Sequence, residues 1–161
     1  MPASSVVFAC DGETSPSVDV LFYGTPHERR EHILAGLRAA GLTVEAVNGA
    51  YGWELTPALR RARLVLHVHY YETRLFPVAR MLQPLASGVP VVCERSVFPA
   101  LGDWSNSGIV FADYDDIVPA CVELLAQPAR QLQAVRRSLQ HARRIDTAAP
   151  LRALIAGLAG R

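Results

Sequence analysis

Five short apolar runs rich in β-branched residues alternate with segments whose apolar positions recur at helical spacing, and this alternation restricts the fold more than any other feature. The runs are VDVLFYG (18–24), LTVEAV (42–47), LVLHVHYY (64–71), VPVVCE (89–94) and GIVFADY (108–114). Between them, ERREHILAGLRAAG puts Ile33, Leu34 and Leu37 on one helical face, and TPALRRAR (56–63) is a short helix opened by Thr56 and Pro57. A third helix starts near Pro77, carries Val78, Met81, Leu82 and Leu85 as a core stripe, and stops at Gly88; Pro84 inside it predicts a kink or a break. DDIVPACVELLAQ, PARQLQAVRRSLQHARR and APLRALIAGLAG follow, all helical in pattern, with Leu151, Leu154, Ile155 and Leu158 of the last on one face. Strand and helix in this order predict βαβ units. The expected fold is α/β and Rossmann-like: an open parallel sheet of about five to six strands with helices on both faces. Residues 1–17 form an N-terminal arm or extra strand, and 18–161 a single domain.

The chain has 161 residues, enough to bury a core without staples, and a formal net charge of +1. A balance this close to neutral gives no reason to expect nucleic acid or an anionic membrane as the main partner. No apolar run is long enough to span a bilayer, and the start MPASSVVFACDGE lacks the basic and apolar regions of a signal peptide. Three cysteines, Cys10, Cys93 and Cys121, make an odd set without metal spacing, which fits a reducing cytoplasm. Cys93 and Cys121 lie in apolar runs and read as inert core residues. All 16 basic residues are arginine, so mechanisms that need a P-loop lysine or a lysine Schiff base are excluded.

In open parallel α/β sheets ligands bind beyond the carboxyl ends of the strands. In this chain those ends read Gly24-Thr25-Pro26-His27, Asn48-Gly49, His69-Tyr70-Tyr71-Glu72, Glu94-Arg95-Ser96 and Asp113-Tyr114, far more polar than the opposite ends. After the first strand, Thr25 as cap, Pro26 in the first helical position and Glu28 as a capping-box partner predict a helix whose N–H groups face the edge. Arg29 and Arg30 there are either phosphate ligands or solvated arginines on a well-capped helix. His67 and His69 alternate on one strand face; with Glu72 they supply metal-ligand types, but no further motif supports a metal. The more ordinary reading makes His67 a satisfied core histidine and points His69 to the cleft mouth. Glu72 and Arg74 serve a ligand's hydroxyls and phosphate, or form a surface ion pair of little energetic weight.

Three blocks, DVLFYGTPHERREHILAGLRAAGLTVEAVNGAYGWEL, ARLVLHVHYYETRLFPVARMLQPLASGVPVVCE and GIVFADYDDIVPACVELLAQPARQLQAVRRS, together resemble the C-terminal half of bacterial GT-B glycosyltransferases of the family-1/family-4 kind. The resemblance covers about residues 18 to 144. It implies a nucleotide-diphosphate-sugar donor site, with the base near Asn48, Tyr51 and Trp53 and the diphosphate near Gly24, Thr25, Arg30 and the start of the third helix, where Arg74 lies. Hydroxyls would meet His69, Tyr71, Glu72 and Glu94. It implies no cofactor and no metal, because helix dipoles and arginines neutralise the leaving diphosphate. Such enzymes need a second domain for the acceptor, so transfer is expected only with an N-terminal domain or partner chain, and a homodimer is the other assembly considered. The chain departs from its retaining relatives, which carry two glutamates: Leu75 and Gln83 stand at those places, and Arg74-Leu75-Phe76-Pro77 replaces the R-x-F-E pattern. Catalytic residues are therefore unassigned, and a glycosyltransferase-like module used for binding or assembly without catalysis is the alternative.

Overall fold

A computed structural model describes residues 16–71, 74–97 and 103–145. Glu72, the N-terminal arm, Cys10 and the APLRALIAGLAG segment lie outside the described residues. Strands β1 (Val18–Tyr23), β2 (Val44–Val47), β3 (Ala62–His67), β4 (Val91–Glu94) and β5 (Val110–Ala112) alternate with helices α1 (Glu28–Ala39), α2 (Thr56–Arg61), α3 (Val78–Ala86), α4 (Ile117–Leu125) and α5 (Pro128–Arg144). The strands form one all-parallel sheet in the order β2-β1-β3-β4-β5. The α/β, Rossmann-like expectation therefore holds, with five strands.

Both faces of the sheet are covered. Val20, Phe22, Leu64, Leu66 and Val92 pack on one side under Ile33, Leu34 and Leu37 of α1 and Ile117, Cys121 and Leu124 of α4. Leu21, Val65, Val91 and Cys93 pack on the other side under Leu59 of α2 and Met81 and Leu85 of α3. A fully buried leucine of this kind stabilises the fold by roughly 1.5–3 kcal/mol. The sheet is thus held by its two-sided burial, as parallel sheets require. Burial also pushes the Cys93 and Cys121 thiols up to about 12, so both are inert at neutral pH.

Several boundaries differ from the sequence expectation, and each difference has a local cause. The third strand begins at Ala62, and after His67 the chain leaves the sheet, so His69–Tyr71 belong to the loop. The caps of α1 also shift: His27 is the N-cap, its Nδ1 accepting from the Arg29 amide at 3.4 Å, while Thr25 and Pro26 precede the helix and Glu28 is its first residue. Pro84 does not end α3, which continues to Ala86. A proline removes the N–H that would serve the carbonyl four residues back, here Arg80, and the Tyr23 hydroxyl donates to that carbonyl at 2.5 Å instead.

The connection from β4 to β5 is closed by two contacts. Trp104 packs against Phe76 and His141, with ring centroids 4.7 and 4.6 Å away. Gly108, at φ +82°, lies against the backbone of α5, where an added Cβ would stand 2.3 Å from the Ala134 carbonyl oxygen. Gly108→Ala is therefore expected to destabilise the domain by ~3 kcal/mol, combining left-handed strain with overpacking. Gly41→Ala meets open space at a similar φ of +83° and should cost about 1 kcal/mol. Thermal unfolding of the two variants checks the contrast.

Candidate functional site

The strand order reverses between β1 and β3, so α1 leaves one face and α3 the other. That point on the carboxyl edge is the place where sheets of this order form the crevice that holds ligands. Tyr23 and Gly24 come from the end of β1, His67 to Tyr71 from β3, and Glu94 to Ser96 from β4.

Glu94 anchors the β4 side. It has no solvent exposure, and both its oxygens are engaged. Arg29 holds them in a two-pronged pair, with Nη1 to Oε2 at 2.7 Å and Nη2 to Oε1, and the His69 amide donates to Oε2 at 2.8 Å. The Arg29 guanidinium also lies 3.9 Å over the Tyr114 ring, and the Tyr114 hydroxyl donates to the Arg29 carbonyl at 2.7 Å. Arg29 is thus committed to the protein and is not a solvated arginine. Its hydrogen bonds to Glu94 raise its pKa further. Two-pronged pairing of a planar guanidinium to a carboxylate is the strongest ion pair available to side chains.

Arg30 and Arg80 differ from Arg29 in having no carboxylate partner among the described residues. Arg30 is buried, donating to the carbonyls of Val68 at 3.0 Å and Thr25 at 2.7 Å. Arg80 Nη1 donates to the Tyr23 carbonyl at 3.0 Å, completing a reciprocal clasp with the Tyr23 hydroxyl on its own carbonyl. The two guanidiniums converge over Gly24, where an added Cβ would lie 3.0 Å from Arg80 Nη1 and 3.3 Å from Arg30 Nη1. Gly24 is therefore required for this approach, and its φ of +147° favours glycine as well. Burial and the charge of Arg80 lower the pKa of Arg30, yet an arginine stays cationic. The result is two guanidiniums that meet at the switch point, each held by backbone carbonyls.

The histidines do not sit as the sequence suggests. His67 is buried, but its Nε2 has no hydrogen-bond partner, so it is not a satisfied core residue. Its ring stands edge-on to His69, centroids 5.1 Å apart. Burial lowers its pKa well below 6.5, helped by the charges of His69, Arg80 and Arg30. His69 is also buried rather than open at the cleft mouth, its Nε2 within 3.2 Å of the Glu94 carbonyl and of Ser96 Oγ. Burial lowers its pKa too, against the opposing pull of Glu94. Among the described residues no group of three histidine, cysteine or acidic side chains is arranged to hold a metal.

The rim is aromatic. Tyr51, Trp53 and Tyr71 are 68%, 82% and 71% exposed, and Asn48 and Thr25 are exposed beside them. Tyr70 packs on His27 at 4.7 Å and beneath Arg30 at 5.1 Å. Arg74 is half-buried at φ +43°, its amide donating to the Tyr71 carbonyl at 3.1 Å. Of the residues expected from sequence, Gly24, Thr25, Arg30, Tyr71 and Arg74 lie around the crevice, and Asn48 and Tyr51 occupy the neighbouring loop after β2. Glu94 and His69 form its internal wall. Arg80 is the second cation; its place off the apolar stripe of α3 left either the cleft or solvent open to it in the sequence.

Comparisons with known proteins bear on this arrangement. No family model matches the sequence. The uncharacterized protein L137 of Acanthamoeba polyphaga mimivirus is 26% identical over 115 residues, which make up 70% of this chain and 16% of the viral protein. The structure of WaaG, a glycosyltransferase involved in lipopolysaccharide biosynthesis, superposes with a TM-score of 0.60 at 14% identity, over 85% of this chain and 46% of that one. TarM does so with a TM-score of 0.63 at 10% identity, over 90% and 36%. The fold is that of a GT-B glycosyltransferase domain. At these identities the likeness is one of fold, and the chain spans less than half the length of either protein. No helix among the described residues is long and apolar enough to cross a membrane.

Two outcomes follow from the buried charges. Arg29→Met should cost about 3–5 kcal/mol by leaving Glu94 buried and unpaired, whereas Arg29→Met combined with Glu94→Leu should recover most of that loss; urea unfolding of single and double variants tests this. His67 and His69 are held neutral in the folded chain, and below their ordinary 6.5 the unfolded chain binds protons that the folded chain does not. Stability should therefore fall as pH drops through 6.5, by about 1.4 kcal/mol per pH unit for each histidine until its folded pKa is reached. A pH series of urea midpoints should show this slope, and a shallower one in His67→Leu.

Proposed function

We propose that this chain binds the nucleotide diphosphate of a sugar donor, as the donor domain of a glycosyltransferase whose transfer step needs an acceptor domain or partner chain. The observation that carries the reading is the convergence of Arg30 and Arg80 over Gly24 at the β1/β3 switch point, without a compensating carboxylate among the described residues. Two fixed guanidiniums in a partly dry crevice suit a diphosphate, and they stabilise the charge that develops on it as a leaving group without a metal. The exposed rings of Tyr51 and Trp53 next to Asn48 offer a flat surface for a base. In this reading Tyr71 serves sugar hydroxyls and Arg74 a phosphate. The engagement of Glu94 by Arg29 and the His69 amide favours a second reading, a binding module without catalysis, since it commits the carboxylate that ends β4 to the protein's own groups.

Thermal unfolding against UDP, GDP, ADP and TDP at millimolar concentration tests the ligand. One of them should raise the midpoint by several degrees, because a ligand held only by the native state at a hundred times its Kd contributes about 2.7 kcal/mol. Arg80→Ala should abolish the shift. No shift with any of the four would refute donor binding by this domain. A shift without transfer on adding an acceptor-domain partner would support the binding module.

A further inference from the structure

Helix α3 carries a second polar contact that the anion site does not use. Gln83, one turn beyond Arg80 on α3, donates from Nε2 to the Gly52 carbonyl at 2.6 Å. Gly52 lies in the loop after β2, between the exposed rings of Tyr51 and Trp53. This loop has two glycines at positive φ, Gly49 at +79° and Gly52 at +55°, both with open space where a side chain would be. Ala50 and Leu55 anchor its base in the core, but the Gln83 amide makes the only side-chain hydrogen bond to the loop among the described residues. Without it, Gly52 keeps only the short 3-10 turn Gly52–Leu55 and the backbone bond from the Glu54 amide to the Tyr51 carbonyl at 3.2 Å to hold the rings.

We infer that Gln83 is a positioning residue that sets the distance between the cation pair and the aromatic ledge, so that one helix places both ends of the ligand site. The inference rests on the donor-binding reading above. Residues three apart on a helix lie on one face, and the Arg80 end is fixed by its clasp with Tyr23. Gln83 carries that fixed position out to Gly52, because its amide nitrogen is the donor and the Gly52 carbonyl the acceptor. The ligand that profits is one with anionic charge at one end and a planar ring at the other, which describes a nucleoside diphosphate and not inorganic pyrophosphate.

The test compares these two probes by isothermal titration on the intact chain, using the nucleoside diphosphate that gives the thermal shift. In Gln83→Ala and Gln83→Met, which removes the donor at nearly equal length, affinity for the nucleoside diphosphate should fall roughly two- to tenfold, the weight of one hydrogen bond. Pyrophosphate affinity should stay within about twofold, and ligand-induced quenching of Trp53 emission, isolated in a Trp104→Phe background, should weaken. Equal losses for both probes would assign Gln83 a merely structural role, and no loss for either would show that the latch is idle; both overturn the inference while leaving donor binding intact. A wild-type chain that binds no nucleoside diphosphate more tightly than pyrophosphate would overturn the ledge and the donor reading together.

Discussion

A carboxylate with no access to water has to be paired, and the rest of the carboxyl edge is arranged around that requirement. Glu94 closes β4 with its side chain turned inward. Arg29 reaches it from the first turn of α1, and the His69 amide reaches it from the chain leaving β3. Three elements distant in sequence are thereby held at one point. Burying an ion pair has a large desolvation cost, offset only by close geometry and full hydrogen bonding; the stacking of Arg29 on Tyr114 and the extra amide bond supply it. The pair gives the crevice one rigid wall.

The opposite wall depends on a different device. Pro84 takes one N–H out of α3, which leaves the Arg80 carbonyl without its helical partner, and Tyr23 takes that carbonyl. The same arginine returns a bond to the Tyr23 carbonyl. An interruption of regular helix bonding thus locks α3 onto β1 and holds a guanidinium at the switch point. Arg29 and Arg30 are neighbours in sequence but have opposite assignments: one is neutralised inside the protein, and the other is left with backbone acceptors and a cationic neighbour. Neither Arg30 nor Arg80 pairs with a carboxylate among the described residues, and His67 Nε2 has no hydrogen-bond partner.

Much of this was legible in the sequence. The alternation of apolar runs and amphipathic helices predicted the parallel α/β fold, because burial on both faces of a sheet leaves continuous apolar runs. The polar strand ends predicted the carboxyl edge as the ligand edge. Strand ends and caps were read less well, since a run such as LVLHVHYY stays rich in β-formers past His67, where it leaves the sheet. His27 displaced Thr25 as a cap because an imidazole nitrogen can accept an amide hydrogen as a hydroxyl oxygen does. Pro84 was expected to kink or break α3, and α3 runs through it to Ala86 while Tyr23 takes the freed carbonyl.

The sequence by itself determined the fold class and the absence of lysine mechanisms, since both follow from residue type and period alone. Only the tertiary structure decided which charges are spent and which are free. Arg29, Arg30 and Arg80 are alike as residues, and their roles separate through partners that lie 65, 38 and 57 positions away in the chain. Such pairings depend on strand order and helix placement, and no local pattern encodes them.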